Sequence, residues 1–238
     1  MCSIPEDTRV SKAFVFDLNV LFEDDYLALV HKPAGILVSG NTFKTVANAL
    51  SQNLKRSTQV DVTSPKPVHR LDYATTGVLM VGKTSSSIRA LNQSFEAKQI
   101  TKTYFAVTIG RMPSNGCINE PIDDKASETN YTVIATVPSP RFGCLNLVQL
   151  HPKTGRRHQL RKHLSGIGHP ILGDKDYGIT GLILNGKGLY LHAHTLKFTH
   201  PSTNEVLTII DGLPKRFVKL FLINAIGYKK DKTIRGKL

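Results

Sequence analysis

An α+β fold, with an antiparallel or mixed sheet and helices packed against it, is what this 238-residue chain predicts. Three observations lead there. Strand-like stretches outnumber helical ones. They often follow one another directly, without the strand–helix alternation of a parallel sheet. No internal repeat interrupts them, and no linker is long enough to separate domains.

Each element can be justified in turn. Leu18 to Val30 reads as two short apolar runs parted by Glu23-Asp24-Asp25, a hairpin signal. His31-Lys32-Pro33-Ala34-Gly35 breaks the pattern with a turn. Asn41 or Thr42 is the expected cap of a short helix whose Val46, Leu50 and Leu54 share one face. Residues 55–68 are polar and hold Pro65 and Pro67, the marks of an exposed loop. Val78 to Val81 is a short buried strand. Ile88, Leu91 and Phe95, at i, i+3 and i+7, mark an amphipathic helix ending near Ile100. Alternation predicts strands over Thr103 to Ile109, Tyr131 to Val137 and Cys144 to Leu150. Thr154 is the expected cap of a helix carrying Leu160, Leu164 and Ile167 that stops at Gly166 or Gly168. Leu189 to Thr199 is strand-like again, and Phe217 to Ile226 a last helix. Residues 1–17 read as a polar leader, 18–228 as one domain and 229–238 as a basic tail.

Composition narrows the class. At 40% hydrophobic and 21% charged, the chain is an ordinary globular sequence. Three Cys are too few, and odd in number, for a disulfide scaffold. No stretch approaches the ~18 uncharged apolar residues of a membrane span. The N-terminal Met-Cys-Ser-Ile-Pro-Glu-Asp lacks a basic-then-apolar signal layout, so a reducing cytoplasm is the expectation. The informative quantity is charge: 31 Lys and Arg against 18 Asp and Glu give +13. Such a field attracts polyanions, nucleic acid first and anionic membrane second. Residues 150–200 carry eight of the bases against two acids, with seven of the nine His.

Two segments carry chemistry. In Val68-His69-Arg70-Leu71-Asp72-Tyr73-Ala74-Thr75-Thr76-Gly77, an acid two residues after an Arg sits in a loop feeding a buried strand, where it can be held rigid beside a cleft. In Leu150 to His163, a helix would put Arg157 and Arg161 on one face, four residues apart. The residues alone indicate an acid near a basic, phosphate-facing surface, compatible with many enzymes.

The segment His69-Arg70-Leu71-Asp72-x-x-Thr75-x-Gly77 resembles the signature of the RluA-type pseudouridine synthases. Further matches follow in family order. They are Lys32-Pro33-Ala34-Gly35, Lys102-Thr103-Tyr104, Thr154-Gly155-Arg156-x-His158-Gln159-Leu160-Arg161-x-His163, Gly168 to Asp174, and Leu191-His192-Ala193. Together they span roughly residues 18–213. Thr76 stands where a Ser is usual, and Tyr73 where a base is frequent. The doubly basic Gly-Arg-Arg-His-Gln-Leu-Arg-Lys-His run resembles the tRNA-directed TruC subgroup.

The resemblance implies a central, mostly antiparallel mixed sheet flanked by helices and loops, with a cleft across its middle. It implies isomerisation of uridine to pseudouridine in tRNA or rRNA, without metal or other cofactor. Asp72 matches the essential carboxylate, acting as nucleophile at C1′ or as base at C2′. Arg161 matches the partner that keeps it ionised. Tyr104 matches the ring that stacks on the uracil and takes part in loss of the C5 proton, and Leu191 an apolar wall. Arg70 matches a residue that fills the stack when the nucleotide is flipped. His69, Thr76, Arg156, Arg157 and His158 are the remaining expected substrate or RNA contacts. RNA is the expected partner, with no membrane, no obligate protein partner, and a monomer as the working state.

Blander readings stand beside these. Asp72 could close a turn or pair with Arg70, Tyr104 could be plain core, and Arg161 could only snorkel. Arg156 and Arg157 suit a solvated basic face as well as RNA. His158, His163, His169 and His192 are expected to hold loops by hydrogen bonds rather than bind metal. The competing function is a non-catalytic RNA-binding or RNA-folding module on the same scaffold.

Overall fold

A hairpin opens the described chain. β1 (Val20–Glu23) and β2 (Leu27–Lys32) pair antiparallel across the turn at Asp24-Asp25, where Asp24 accepts from the amides of Tyr26 and Leu27. The computed structural model describes residues 14–221 and the backbone of Ile234–Arg235. After the hairpin come α1 (Val46–Asn53), β3 (Val62–Pro67), β4 (Thr76–Thr84), α2 (Ser85–Glu96) and β5 (Thr101–Ile109). Then follow β6 (Asn115–Ile118), β7 (Thr129–Ser139), β8 (Gly143–Pro152), α3 (Gln159–Gly166), β9 (Leu191–Thr199), β10 (Val206–Ile210), α4 (Lys215–Phe221) and β11 (Ile234–Arg235).

The strands form one mixed sheet in the order β1-β2-β4-β9-β5-β8-β7-β6, with β10 on β9, β11 on β10 and β3 on β4. Every pairing is antiparallel except β4 with β9. All nine residues of β4 are buried, as befits a central strand covered on both faces. On one face α1 packs Val46, Ala49 and Leu50 against Ala28, Val30, Leu79 and Val81. On the other, α2 sets Leu91 against Leu27, Leu29, Val78 and Met80. A third core joins β5, β8 and β9 to α3 and α4.

Several expectations need correction. The polar stretch 55–68 contains β3, because a proline-bearing strand is tolerated where only β4 pairs with it. Thr45, not Asn41 or Thr42, caps α1, its hydroxyl accepting from the Asn48 amide at 3.2 Å. Thr154 does not cap α3: its hydroxyl reaches the Gln159 side chain at 2.7 Å, and the helix starts after His158, which adopts a left-handed φ of 54°. Arg157 therefore precedes the helix and shares no helical face with Arg161. β6 and β10 were not foreseen; each is short and lacks a clean apolar alternation. Residues 1–13 of the leader, the helix beyond Phe221 and, apart from β11, the tail 229–238 lie outside the described residues.

Candidate active site

Two halves of the sheet meet at β4 and β9, and a cleft opens there. It encloses about 620 Å³ and is walled by the 68–72 segment, the end of α2, Lys102 and Tyr104 of β5, the 152–160 segment and Leu191. Of the ten residues singled out from sequence, eight line it: Asp72, Tyr104, Arg70, His69, Arg156, Arg157, His158 and Leu191. Thr76 and Arg161 do not.

Asp72 sits in a tight turn closed by its own carbonyl, which accepts from the Thr75 amide at 3.1 Å. Its side chain is 20% exposed, so the carboxylate faces the cleft. Beneath the turn lies Lys32, wholly buried at the end of β2. Its ammonium donates to the carbonyls of Pro33 (2.9 Å), Tyr73 (3.3 Å) and Thr75 (2.9 Å). Burial pulls the Lys32 pKa down to about 8, and the Asp72 charge opposes that fall. Lys32 is a candidate site residue that the sequence reading placed only in a turn. The signal was present: a lysine closing an apolar strand, directly before the Pro33-Ala34-Gly35 turn. One polar side-chain atom among the described buried residues lacks any partner, the Thr75 hydroxyl, three positions from Asp72.

The basic side chain recorded beside Asp72 is a histidine, not Arg161. His158 Nε2 lies 3.9 Å from Asp72 Oδ1. Its Nδ1 is 3.0 Å from the Tyr177 hydroxyl, so with Tyr177 donating, Nε2–H is directed at the carboxylate. Burial lowers the His158 pKa and the Asp72 charge raises it in part. Arg161 is instead held by Asp174 and Asp176, at 2.7 and 2.6 Å to the first and 2.7 Å to the second. These two carboxylates hold its pKa above the ordinary arginine value despite burial. Because α3 begins only at Gln159, Arg161 turns toward the 174–177 segment, its guanidinium 4.9 Å over the Tyr177 ring. Contacts run from Arg161 to Tyr177, from Tyr177 to His158 and from His158 to Asp72.

On the opposite wall, Tyr104 pairs with Ala193 just past a register shift between Thr103 and Tyr104. A bulge of this kind re-aims a side chain beside a site. Burial first, then the Asp72 charge, holds its hydroxyl well above the usual phenol range, so it is un-ionised at neutral pH. Leu191 is buried behind the cavity. His69 has a structural duty: its Nε2 accepts from the Met80 amide at 2.9 Å and its ring stacks on Phe95. Burial pulls its pKa to about 3, so it brings no positive charge to a phosphate. Arg70 and Arg157 are exposed at the rim, while Arg156 donates to the Ala126 carbonyl at 3.2 Å. Thr76 is buried and contacts His192 at 2.8 Å. His163 binds Ser127, Thr129 and the Glu120 carbonyl, and His169 faces the Ile109 carbonyl, so both hold loops. Among the described residues no group of three or more His, Cys, Asp or Glu is placed to hold a metal ion. No described helix is long and apolar enough to cross a membrane.

Residues 26–166 match the family model described as RNA pseudouridylate synthase. The chain is 35% identical over 242 residues to the tRNA pseudouridine synthase C of Pasteurella multocida, covering 87% of this chain and 96% of that protein. It is 32% identical over 233 residues to the ribosomal large subunit pseudouridine synthase D of Nitrosomonas europaea, covering 88% and 66%. Among solved structures, human RNA pseudouridylate synthase domain containing 4 superposes with a TM-score of 0.68 at 26% identity, covering 84% of this chain and 90% of that one.

Proposed function

For a chain that belongs to the RNA pseudouridylate synthase family, isomerases acting on RNA, we propose that Asp72 carries the isomerisation of a flipped-out uridine in tRNA. The observation that carries this reading is the setting of Asp72. Its carboxylate faces a ligand-sized cavity, His158 stands 3.9 Å away, and its charge acts on Lys32 and Tyr104.

The chemistry moves one bond. The N1–C1′ bond breaks, the uracil turns, C5 bonds to C1′, and the C5 proton is replaced by one at N1, so the product is an isomer. Attack at C1′ and proton abstraction at C2′ both begin from the ionised carboxylate. Lys32 supplies a buried ammonium beneath the Asp72 turn, and His158 stands 3.9 Å from the carboxylate on the cleft side. Tyr104 and Leu191 hold the turned base between a ring and an aliphatic wall. The un-ionised Tyr104 phenol takes the C5 proton only by passing on its own, and the nearby Asp72 carboxylate is the acceptor. Flipping the uridine costs a few kcal/mol, and Arg70, exposed at the cleft rim, is the residue assigned to fill the vacated stack. The cations Arg70, Lys98, Lys102, Lys153, Arg156 and Arg157 along the cleft suit phosphate contact.

The tRNA assignment is supported by the 35% identity to the tRNA synthase from Pasteurella multocida, beside 32% to the ribosomal one, and by the doubly basic Gly155–His163 run. Transcripts of tRNA and of rRNA fragments, tritiated at uridine C5, test both statements. Tritium release from tRNA by the wild type and none by Asp72→Asn is expected. Release from rRNA alone overturns the tRNA assignment, and release by Asp72→Asn at the wild-type rate overturns the role of Asp72. RNA binding without any release points to the non-catalytic module.

A further inference from the structure

The cleft is assembled from two sheet halves. The first, β1 to β4, carries Lys32 and the Asp72 turn; the second carries Tyr104 on β5 and Leu191 on β9. Their junction is short. Thr76 pairs with His192 and Gly77 with Ala193, and farther along β4 the same edge is taken by β3 through Lys66↔Gly82 and Pro67↔Val81. Contact at Gly77 is close: its φ is 122°, and a Cβ there would clash with the Ala193 carbonyl.

Besides these two backbone pairs, Leu27, Leu29, Val78 and Met80 of the first half share a buried cluster with Leu196, Phe198, Leu207 and Ile209 of the second, and polar side chains add directional ties to this joint. Thr76 Oγ1 lies 2.8 Å from His192 Nδ1, and His192 Nε2 lies 3.1 Å from the Asp211 carbonyl. Burial lowers the His192 pKa, so the ring is neutral. Nε2–H therefore donates to the carbonyl, and Nδ1 accepts from the threonine. Asp211 is anchored to the second half, its amide donating to the His194 carbonyl at 2.8 Å. Its carboxylate crosses back to accept from His31 Nδ1 at 2.5 Å. His31 belongs to β2, opposite Val78 of β4 and next to Lys32. The chain Thr76–His192–Asp211–His31 thus crosses the junction twice, behind the cleft rather than in it.

We propose that His31, Asp211 and His192 are positioning residues that set the two sheet halves against each other, and so the spacing of Asp72 from Tyr104 and Leu191. The proposal rests on the isomerase reading of the cleft. Its test compares His31→Ala, which deletes the tie, with His31→Asn, whose amide nitrogen replaces Nδ1–H. In the tritium-release assay on tRNA, His31→Ala is expected to lower kcat by about 10²-fold, as an ångström of misplacement does, with KM nearly unchanged. His31→Asn is expected to recover most of that loss, and Asp211→Ala combined with His31→Ala to be no worse than the poorer single variant. Amide exchange in residues 76–78 and 191–194 is expected to quicken in His31→Ala while α2 and β7 keep their protection. Unchanged kcat in His31→Ala overturns the proposal, as does failure of His31→Asn to recover activity. If the wild type isomerises no transcript, the isomerase reading falls, and exchange alone decides: unchanged protection at the junction overturns the positioning role.

Discussion

Lys32→Met separates catalysis from stability more sharply than any other single change. Met is one heavy atom shorter than Lys but unbranched and apolar, so most of the buried slot stays filled. The variant removes hydrogen bonds to three carbonyls, two of them at 2.9 Å. At about 1.5 kcal/mol for each of the two short charge-assisted bonds, about 3 kcal/mol of favourable contact is lost. Against this stands the cost of burying an ammonium. The fall of its pKa to about 8 amounts to about 3 kcal/mol against the charged form. The two nearly cancel, so the melting temperature is expected to move by less than about 4 °C. Activity is not so protected. The Asp72 turn loses the group that pins Tyr73 and Thr75, and Asp72 loses a buried positive charge; kcat is expected to fall by about 10²-fold. Tritium release from tRNA and thermal unfolding, run on the same preparation, measure both. A melting temperature lowered by 10 °C or more with wild-type kcat would refute the reasoning.

The same lysine fixes two pH signs. Its folded pKa lies below its unfolded one, so between about pH 8 and 10.5 the unfolded chain binds more protons. Stability from this group therefore rises with pH across that window, and the rise is absent in Lys32→Met when urea midpoints are compared. The kcat of the wild type is expected to decline above about pH 8 as the charge beside Asp72 is lost. Arg161→Met strands the wholly buried Asp174 carboxylate and is expected to cost about 3–5 kcal/mol in urea unfolding; a loss of activity at unchanged stability would return Arg161 to direct catalysis. Gly77→Ala meets both a positive φ and the Ala193 carbonyl, so little folded protein is expected, and a melting temperature equal to the wild type would contradict the close junction. Tyr104→Phe keeps the ring and is expected to lower kcat with KM unchanged, whereas Tyr104→Ala also raises KM by about tenfold, as loss of one stacking contact does.

Local pattern determined a good deal of this protein. The hairpin at Glu23-Asp24-Asp25, the buried strand around Val78 to Val81 and the amphipathic α2 were legible because periods of 2 and 3.6 residues are written in consecutive side chains. The ordered motifs disclosed the family, and with it the neighbourhood of Asp72, Tyr104 and Leu191. Tertiary structure decided what depends on partners far apart in the chain. That β4 meets β9 in parallel over two residues follows from how β3 shares its edge, which no window of sequence contains. Arg161 had three carboxylates in play, Asp72, Asp174 and Asp176, and an ion pair forms with whichever the fold brings within a few ångströms. His158 came to face Asp72 because a left-handed residue ends the loop before α3. Lys32 read as part of a turn, whereas in the fold it ends β2 and three carbonyls, two of them more than 40 residues away, close around its ammonium. Charge, burial and reach are properties of a place in space, and sequence supplies only the groups that compete for it.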